Sequence, residues 1–415
     1  MSAAESDFQF VHEPLEDPRS QIRLLRLSDF DSESELEITI RHVSLNNDAG
    51  TPVQYHALSY TWGDTRDLET IRVNGRPFKI RQNLFLFLAT AQLQELRHDL
   101  WIDQLSIDQN QRTERNEQVA IMAEIYSKAA KVIVWLGYGL EMEEAVLTDI
   151  RDLAELPRSL DLSTNQFTNP PVGQHGLQFE LLLKLLGSNL LSLFENPYWS
   201  RLWIIQELVM AREIELQAGD VRISWSHFHA IRDHFGKQRT IMSATDDFPR
   251  DEQMSERPGR VTQLPENIEY LVGIAMTGRS HAPLFDILQR FCHAECEDPR
   301  DKFYGLLAII DLDAAIPVDY NKSTAEVYLD VVSAIVRQIK PSDTEYYDAF
   351  VRLRFICNEL LENMTQQSSP GLWDHICEKF CRGHGQARFH EAIRGGSHVD
   401  RVMSTLKQYL GLQLP

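Results

Sequence analysis

Tyr55-His56-Ala57-Leu58-Ser59-Tyr60-Thr61-Trp62-Gly63-Asp64 is the stretch on which the fold turns. Its first six residues are mostly apolar and run into a polar loop, the pattern of a buried strand. Two later segments repeat that form. Leu100-Trp101-Ile102 leads straight into Asp103, and Val132 to Leu136 is a continuous apolar run closed by Gly137. Helix signals lie between them. Asn83 is placed to cap a helix over 84–96. A second helix opens at Thr113 or Glu114, with Val119, Met122, Ile125 and Tyr126 on one face. The order β–loop–helix–β–loop–helix–β predicts an α/β domain built on a parallel sheet. Right-handed crossovers then bring the loops after Tyr60 and Ile102 to the same sheet edge. Ligands bind at such carboxyl ends, so these two polar loops are the first candidates for a site.

On the N-terminal side of that core, Ile22 to Leu27 and Leu36 to Val43 read as strands, the second with clear alternation, and 46–50 as a turn. Ile71 to Ile80 contains Asn74-Gly75, a strong hairpin signal. Residues 157–176 are rich in Pro, Ser, Asn and Gly and read as an insertion loop. Helices are predicted over 177–193 and 199–212, then strands over 213–217 and 221–224 joined at Gly219-Asp220. Residues 243–266 are polar and charged, and helices dominate from Pro283 onward. The expected division is a flexible tail over 1–19, an α/β domain over 20–235, a flexible loop over 236–266 and a mainly helical region over 267–415.

Composition narrows the function. Of the 415 residues 43% are hydrophobic and 25% charged, which suits a globular chain able to bury a core. The net charge of −20 disfavours general binding to nucleic acid or anionic lipid, while leaving room for a local basic pocket. No window is long and apolar enough to span a bilayer, and the polar, acidic start of the chain does not read as a signal peptide. Five cysteines, an odd number in a long chain, point to reduced thiols and a cytoplasmic setting. No phosphate-cradling glycine loop follows the first core strand, and no Ser stands in a nucleophile-elbow context. Cys292-His293 with Cys296, and His375 with Cys377, Cys381 and His384, invite a zinc reading. The two clusters lie far apart on predicted helices, so buried thiols and surface histidines are the simpler reading and no metal is expected.

Four blocks carry a family resemblance. The first is the opening stretch, Tyr55 to Asp64. The second is Leu100-Trp101-Ile102-Asp103-Gln104-Leu105-Ser106-Ile107-Asp108-Gln109, continuing through Glu114-Arg115 and Gln118-Val119 to Val134-Trp135-Leu136-Gly137. The third is Tyr198-Trp199-Ser200-Arg201-Leu202-Trp203-Ile204-Ile205-Gln206-Glu207-Leu208, and the fourth is Asp298 to Leu306 with Val318-Asp319-Tyr320 behind it. Together they resemble the fungal heterokaryon incompatibility (HET) domain over about 22–225, with a weaker likeness to about 335. The family usually shows Cys where this chain has Ser106, and Asn where it has Asp108. HET domains in turn look like distant relatives of TIR domains, so the resemblance implies a TIR/flavodoxin-like parallel sheet with added β-hairpins. It also implies a cell-death effector of allorecognition, self-association, and a receptor or incompatibility partner.

Trp203 stands four residues ahead of Glu207, the spacing seen around the catalytic glutamate of NAD-cleaving TIR enzymes. The resemblance therefore implies an NAD+ glycohydrolase, with NAD+ or a related nucleotide as substrate and no resident cofactor. Breaking the nicotinamide–ribose bond builds positive charge on the ribose, and one carboxylate can stabilise it because nicotinamide departs neutral. Glu207 is the implied catalytic group. Ser59, Tyr60, Trp62, Gly63, Asp103, Gln104, Gln109, Arg115 and Trp203 are the implied substrate-binding set. Several have a plainer reading. Glu207 can be an internal salt bridge to Arg201 or Arg212, and Trp203, Trp62 and Trp199 can be core residues. Asp103 and Asp108 can cap turns, and Glu114 to Gln118 can be a solvated helix face. Asp298 to Lys302 reads either as a latch for the helical region or as an exposed helix start behind proline. The competing function is a non-catalytic module that signals by oligomerising or by binding a partner receptor.

Overall fold

The computed structural model describes residues 9–29, 35–46, 53–137, 196–225, 228, 282–311, 316–338 and 360. The predicted insertion loop, the helix over 177–193, the polar loop over 243–266 and residues 339–415 apart from Leu360 lie outside them. The chain divides into two compact units. One comprises Met1–Ser200 and Met210–Glu269, the other Arg201–Val209 and Tyr270–Pro415. The segment Arg201–Val209 therefore groups with the C-terminal part of the chain, whereas the sequence reading places it in the α/β domain.

The first unit is built on β1 (Gln21–Leu27), β2 (Glu37–Ser44), β3 (His56–Tyr60), β4 (Leu68–Val73) and β5 (Arg76–Arg81). Helix α1 (Gln82–Leu93) and β6 (Leu100–Trp101) follow. Next come three short helices, α2 (Asp103–Ser106), α3 (Arg112–Ala120) and α4 (Met122–Lys128), and then β7 (Lys131–Trp135). The second unit takes α5 (Ile204–Val209), and the chain returns to the first with β8 (Ile214–Ala218) and β9 (Val221–Ser224).

These strands form one sheet in the order β5-β4-β2-β1-β6-β3-β7-β8-β9. Its centre, β6-β3-β7-β8, is parallel throughout, as expected. The whole sheet is mixed, because β1 lies antiparallel to both β2 and β6, and the β4–β5 and β8–β9 hairpins close the two ends. Asn74 and Gly75 both take positive φ (49° and 77°), the conformation a two-residue hairpin with matching twist requires. Leu84, Phe87, Leu88 and Ala91 of α1 pack on Leu58, Tyr60, Ile133 and Trp135 of the parallel core.

Four local readings change. The helix read over 199–212 reduces to Ile204–Val209 behind a 3-10 turn at Pro197–Ser200. Asn83 does not cap α1, whose cap is Arg81 without a side-chain bond. Its amide instead donates to Thr61 O at 2.5 Å and accepts from the Trp135 indole at 2.9 Å. The helix after the second loop breaks at Ile121 into α3 and α4. Residues 9–18, read as part of a loose tail, are docked: Phe10 N–H donates to Pro77 O, His12 bonds Leu105 O at 2.8 Å, and Leu15 is buried.

In the second unit, β10 (Ala282–Pro283) pairs parallel with β11 (Ile310–Asp311) around α6 (Leu284–Phe291) and α7 (Asp301–Tyr304), and α8 (Thr324–Gln338) follows. Backbone pairing of Arg201 and Leu202 with Glu295 ties the 201–209 segment into this unit.

Candidate functional site

Within the first unit, β3 and β6 are adjacent and parallel, so the loops that leave them emerge side by side. Their side chains are knit together. The Trp62 indole donates to Asp103 Oδ2 at 2.7 Å, and the Tyr60 hydroxyl donates to Gln104 Oε1 at 3.1 Å. Gln109 donates to Asp103 O at 3.1 Å. Gly63 takes φ +83°, which turns the first loop back so that Arg81 donates to Gly63 O and stacks over the Trp62 ring at 4.8 Å. Tyr60, Trp62, Gly63, Asp103, Gln104 and Gln109 thus form one cluster. Asp103 is half-buried and already accepts from the Gln104 N–H as well as from Trp62.

Other implied residues go elsewhere. Ser59 is 1% exposed and shares a 2.6 Å hydrogen bond with the Tyr198 hydroxyl. Arg115 is half-buried on α3. Trp199 is a core residue stacked on Phe228 at 5.1 Å. Asp108 makes the turn the plainer reading assigned it, accepting from Asn110 N–H. Ser106 is fully buried, and its hydroxyl accepts from Ile102 N–H at 3.1 Å.

The second unit holds Trp203 and Glu207. Every residue of α5 is buried, so its single acid must have its charge compensated. Glu207 is 2% exposed, and Arg201 Nη1 lies 3.8 Å from its Oε2. Trp203 is one turn earlier, its carbonyl accepting the Glu207 N–H. The Trp203 indole donates to Asp301 Oδ2 at 3.2 Å, and the Tyr320 hydroxyl donates to Asp301 Oδ1 at 2.5 Å. The third and fourth sequence blocks thus meet at one buried aspartate. Asp301 and Lys302 are each 8% exposed, which overturns the exposed helix start. Lys302 donates to the carbonyls of Cys292 and Ala294. Arg300 donates to the carbonyls of Tyr320 and Lys322 and pairs with Asp298. Burial pushes the Cys296 thiol up to about 12, far from the reactive range. Among the described residues no three His, Cys, Asp or Glu are placed to hold a metal ion. His375, Cys377, Cys381 and His384 lie outside those residues.

One pair escaped the sequence reading. Arg23, in the middle of the apolar strand β1, is 0% exposed and grips Glu114 with both terminal nitrogens, at 2.5 and 2.9 Å. It also donates to Ser106 O and Glu13 O, while Glu114 accepts from Asp108 N–H. Glu114 and Gln118 are therefore a buried edge of α3, not the solvated face expected. The pair fixes the loop that carries Asp103 to Gln109. An arginine inside an apolar strand was the available signal, because such a charge needs a buried partner; nothing in the sequence chose which acid.

Comparison with known proteins agrees with the blocks. Residues 55–207 match the family described as heterokaryon incompatibility protein (HET). The chain is similar to heterokaryon incompatibility protein 6, OR allele, of Neurospora crassa, with 25% identity over 370 residues and 80% of this chain covered. It spans about half of that relative's length (54%). No solved structure matches it.

Proposed function

We propose, from the match of residues 55–207 to the HET family, that the protein acts in heterokaryon incompatibility as an intracellular cell-death effector. Its similarity to an incompatibility protein along most of its length supports that reading. Its chemistry, in this proposal, is cleavage of NAD+ at the nicotinamide–ribose bond by Glu207. Support comes from the parallel core, whose chain order β6-β3-β7-β8 is second-first-third-fourth, the order of flavodoxin-like sheets to which TIR domains belong. The polar cluster of Trp62, Asp103 and Gln104 lies at the carboxyl ends of β3 and β6, the sheet edge at which such folds bind ligands, beside the β3/β7 switch point. Glu207 is the one acid on α5, held dry beside a cation and one turn from an indole. A carboxylate in that setting stabilises developing positive charge more strongly than one in water.

A specific observation favours the second reading, a non-catalytic module that signals by self-association. Glu207 is 2% exposed and paired with Arg201, the arrangement of an internal clamp. Catalysis requires that pair to open, as assembly-activated enzymes allow. The test is NAD+ consumption and nicotinamide release by the full chain at high concentration, beside Glu207→Gln with its fold checked by circular dichroism. Turnover by the parent only is the expected result. Absence of turnover in both, under conditions where the chain self-associates, assigns the module.

A further inference from the structure

At the other end of β3 from these loops, the first unit has a cavity of about 320 Å³. Its origin is simple. Helix α1 covers the parallel core only as far as Leu93, and the chain then arches through 94–98 to reach β6. Beneath that arch the strands begin with polar residues: His56 opens β3 and Lys131, its register partner, opens β7. Glu215 of β8 and Arg222 of β9 close the far wall. His98 comes down from the arch onto His56, the two rings 4.4 Å apart at 31°.

We propose that this cavity is a binding site for a small oxyanion, a phosphate or carboxylate group carried by a metabolite. Three observations converge. First, His56 Nδ1 is buried and has no hydrogen-bond partner, a cost that a ligand in the cavity relieves. Second, the lining carries Arg97, Lys131 and Arg222 against Glu95 and Glu215, a positive surplus among these side chains in a chain of net charge −20. Glu213 and Asp29 approach Lys131 and Arg97 from outside the lining, at 3.2 and 3.1 Å; they are 63% and 86% exposed, so water weakens their offset of that surplus. Third, Glu95 sits at positive φ (52°) where the end of a helix ordinarily takes Gly; that strained backbone holds the arch over the cavity. Arg222, which donates to Gln94 at 2.5 Å, ties the arch to the last strand. The site shares no residue with the Trp62–Asp103 cluster or with Glu207, and it stands whichever reading of the incompatibility chemistry holds.

The experiment follows the imidazole C2 protons of the full chain by NMR during titration with inorganic phosphate and, separately, with succinate. One of the two anions should shift the His56 and His98 signals saturably, and which one does so names the source of the oxyanion. His98→Ala, and Arg97→Ala on a side chain 69% exposed that leaves the fold intact, should each weaken that binding by about tenfold for a lost charge-assisted contact. Binding should also raise the pH at which His56 titrates, since an anion favours the imidazolium over the opposing push of burial, His98 and Lys131 and alongside the pull of Glu215 and Glu213. If neither anion moves both signals, or if the shifts survive unchanged in both variants, the proposal is overturned.

Discussion

Glu114 decides much at the scale of single residues. Burial alone would push its carboxyl up, but the Arg23 hydrogen bonds, the Asp108 N–H and the Arg23 charge outweigh burial and hold it below the usual carboxylate range. A carboxyl lowered on folding adds stability above its unfolded pKa and loses it as pH falls through the folded one. Glu114→Gln should therefore flatten the acid limb of the stability curve. It should also cost about 3–5 kcal/mol in urea unfolding at neutral pH, because Arg23 keeps a buried, under-compensated charge. A loss below about 1 kcal/mol would mean that water reaches the pair. His56 works through the opposite chemistry. Burial first, then His98 and Lys131, lower it from 6.5 to about 4. The unfolded chain takes up that proton more readily, so stability is full above about pH 6.5 and declines as pH falls toward 4. His56→Gln should remove that decline, read as melting temperature against pH; an unchanged slope would assign the acid sensitivity to other groups.

Among elements, the most informative contact is the approach of α7 to the 201–209 segment within the second unit. A Cβ added at Gly305 would lie 3.1 Å from both Asp301 O and Leu202 Cδ2. Gly305→Ala should destabilise by about 1–3 kcal/mol through overpacking, measurable by denaturant unfolding. Because the same segment carries Trp203 and Glu207, the Trp203 fluorescence should shift as well. A neutral result would show that Leu202 has room to move. Both ends of this contact were legible as sequence blocks. Their meeting at Asp301 was not, because no periodicity or spacing links residue 203 to residue 301.

For the molecule as a whole, charge sets the terms of assembly. With a net charge of −20, two copies repel at distances of about a Debye length, and salt shortens that length from about 30 Å at 0.01 M to 10 Å at 0.1 M. Self-association should therefore strengthen as ionic strength rises over that range, followed by sedimentation velocity. Association that weakens with salt would mean that the interface is made of intermolecular ion pairs. No helix among the described residues is long and apolar enough to cross a membrane.

Read alone, the sequence was enough for the parallel core, its two carboxyl-end loops, the hairpins and the likeness to HET domains. Each of these rests on short-range signals: apolar runs of strand length, a turn dipeptide with positive φ, and blocks recurring in order. Where the charges went was set by packing. Arg23 chose Glu114, Asp301 took Trp203 and Tyr320, Asn83 left its cap for Trp135, and Glu207 closed on Arg201. Those choices depend on which groups are brought within about 3 Å by packing and on the cost of leaving any of them dry and unpaired. A sequence states that such a group needs a partner; only the folded chain says which one it has.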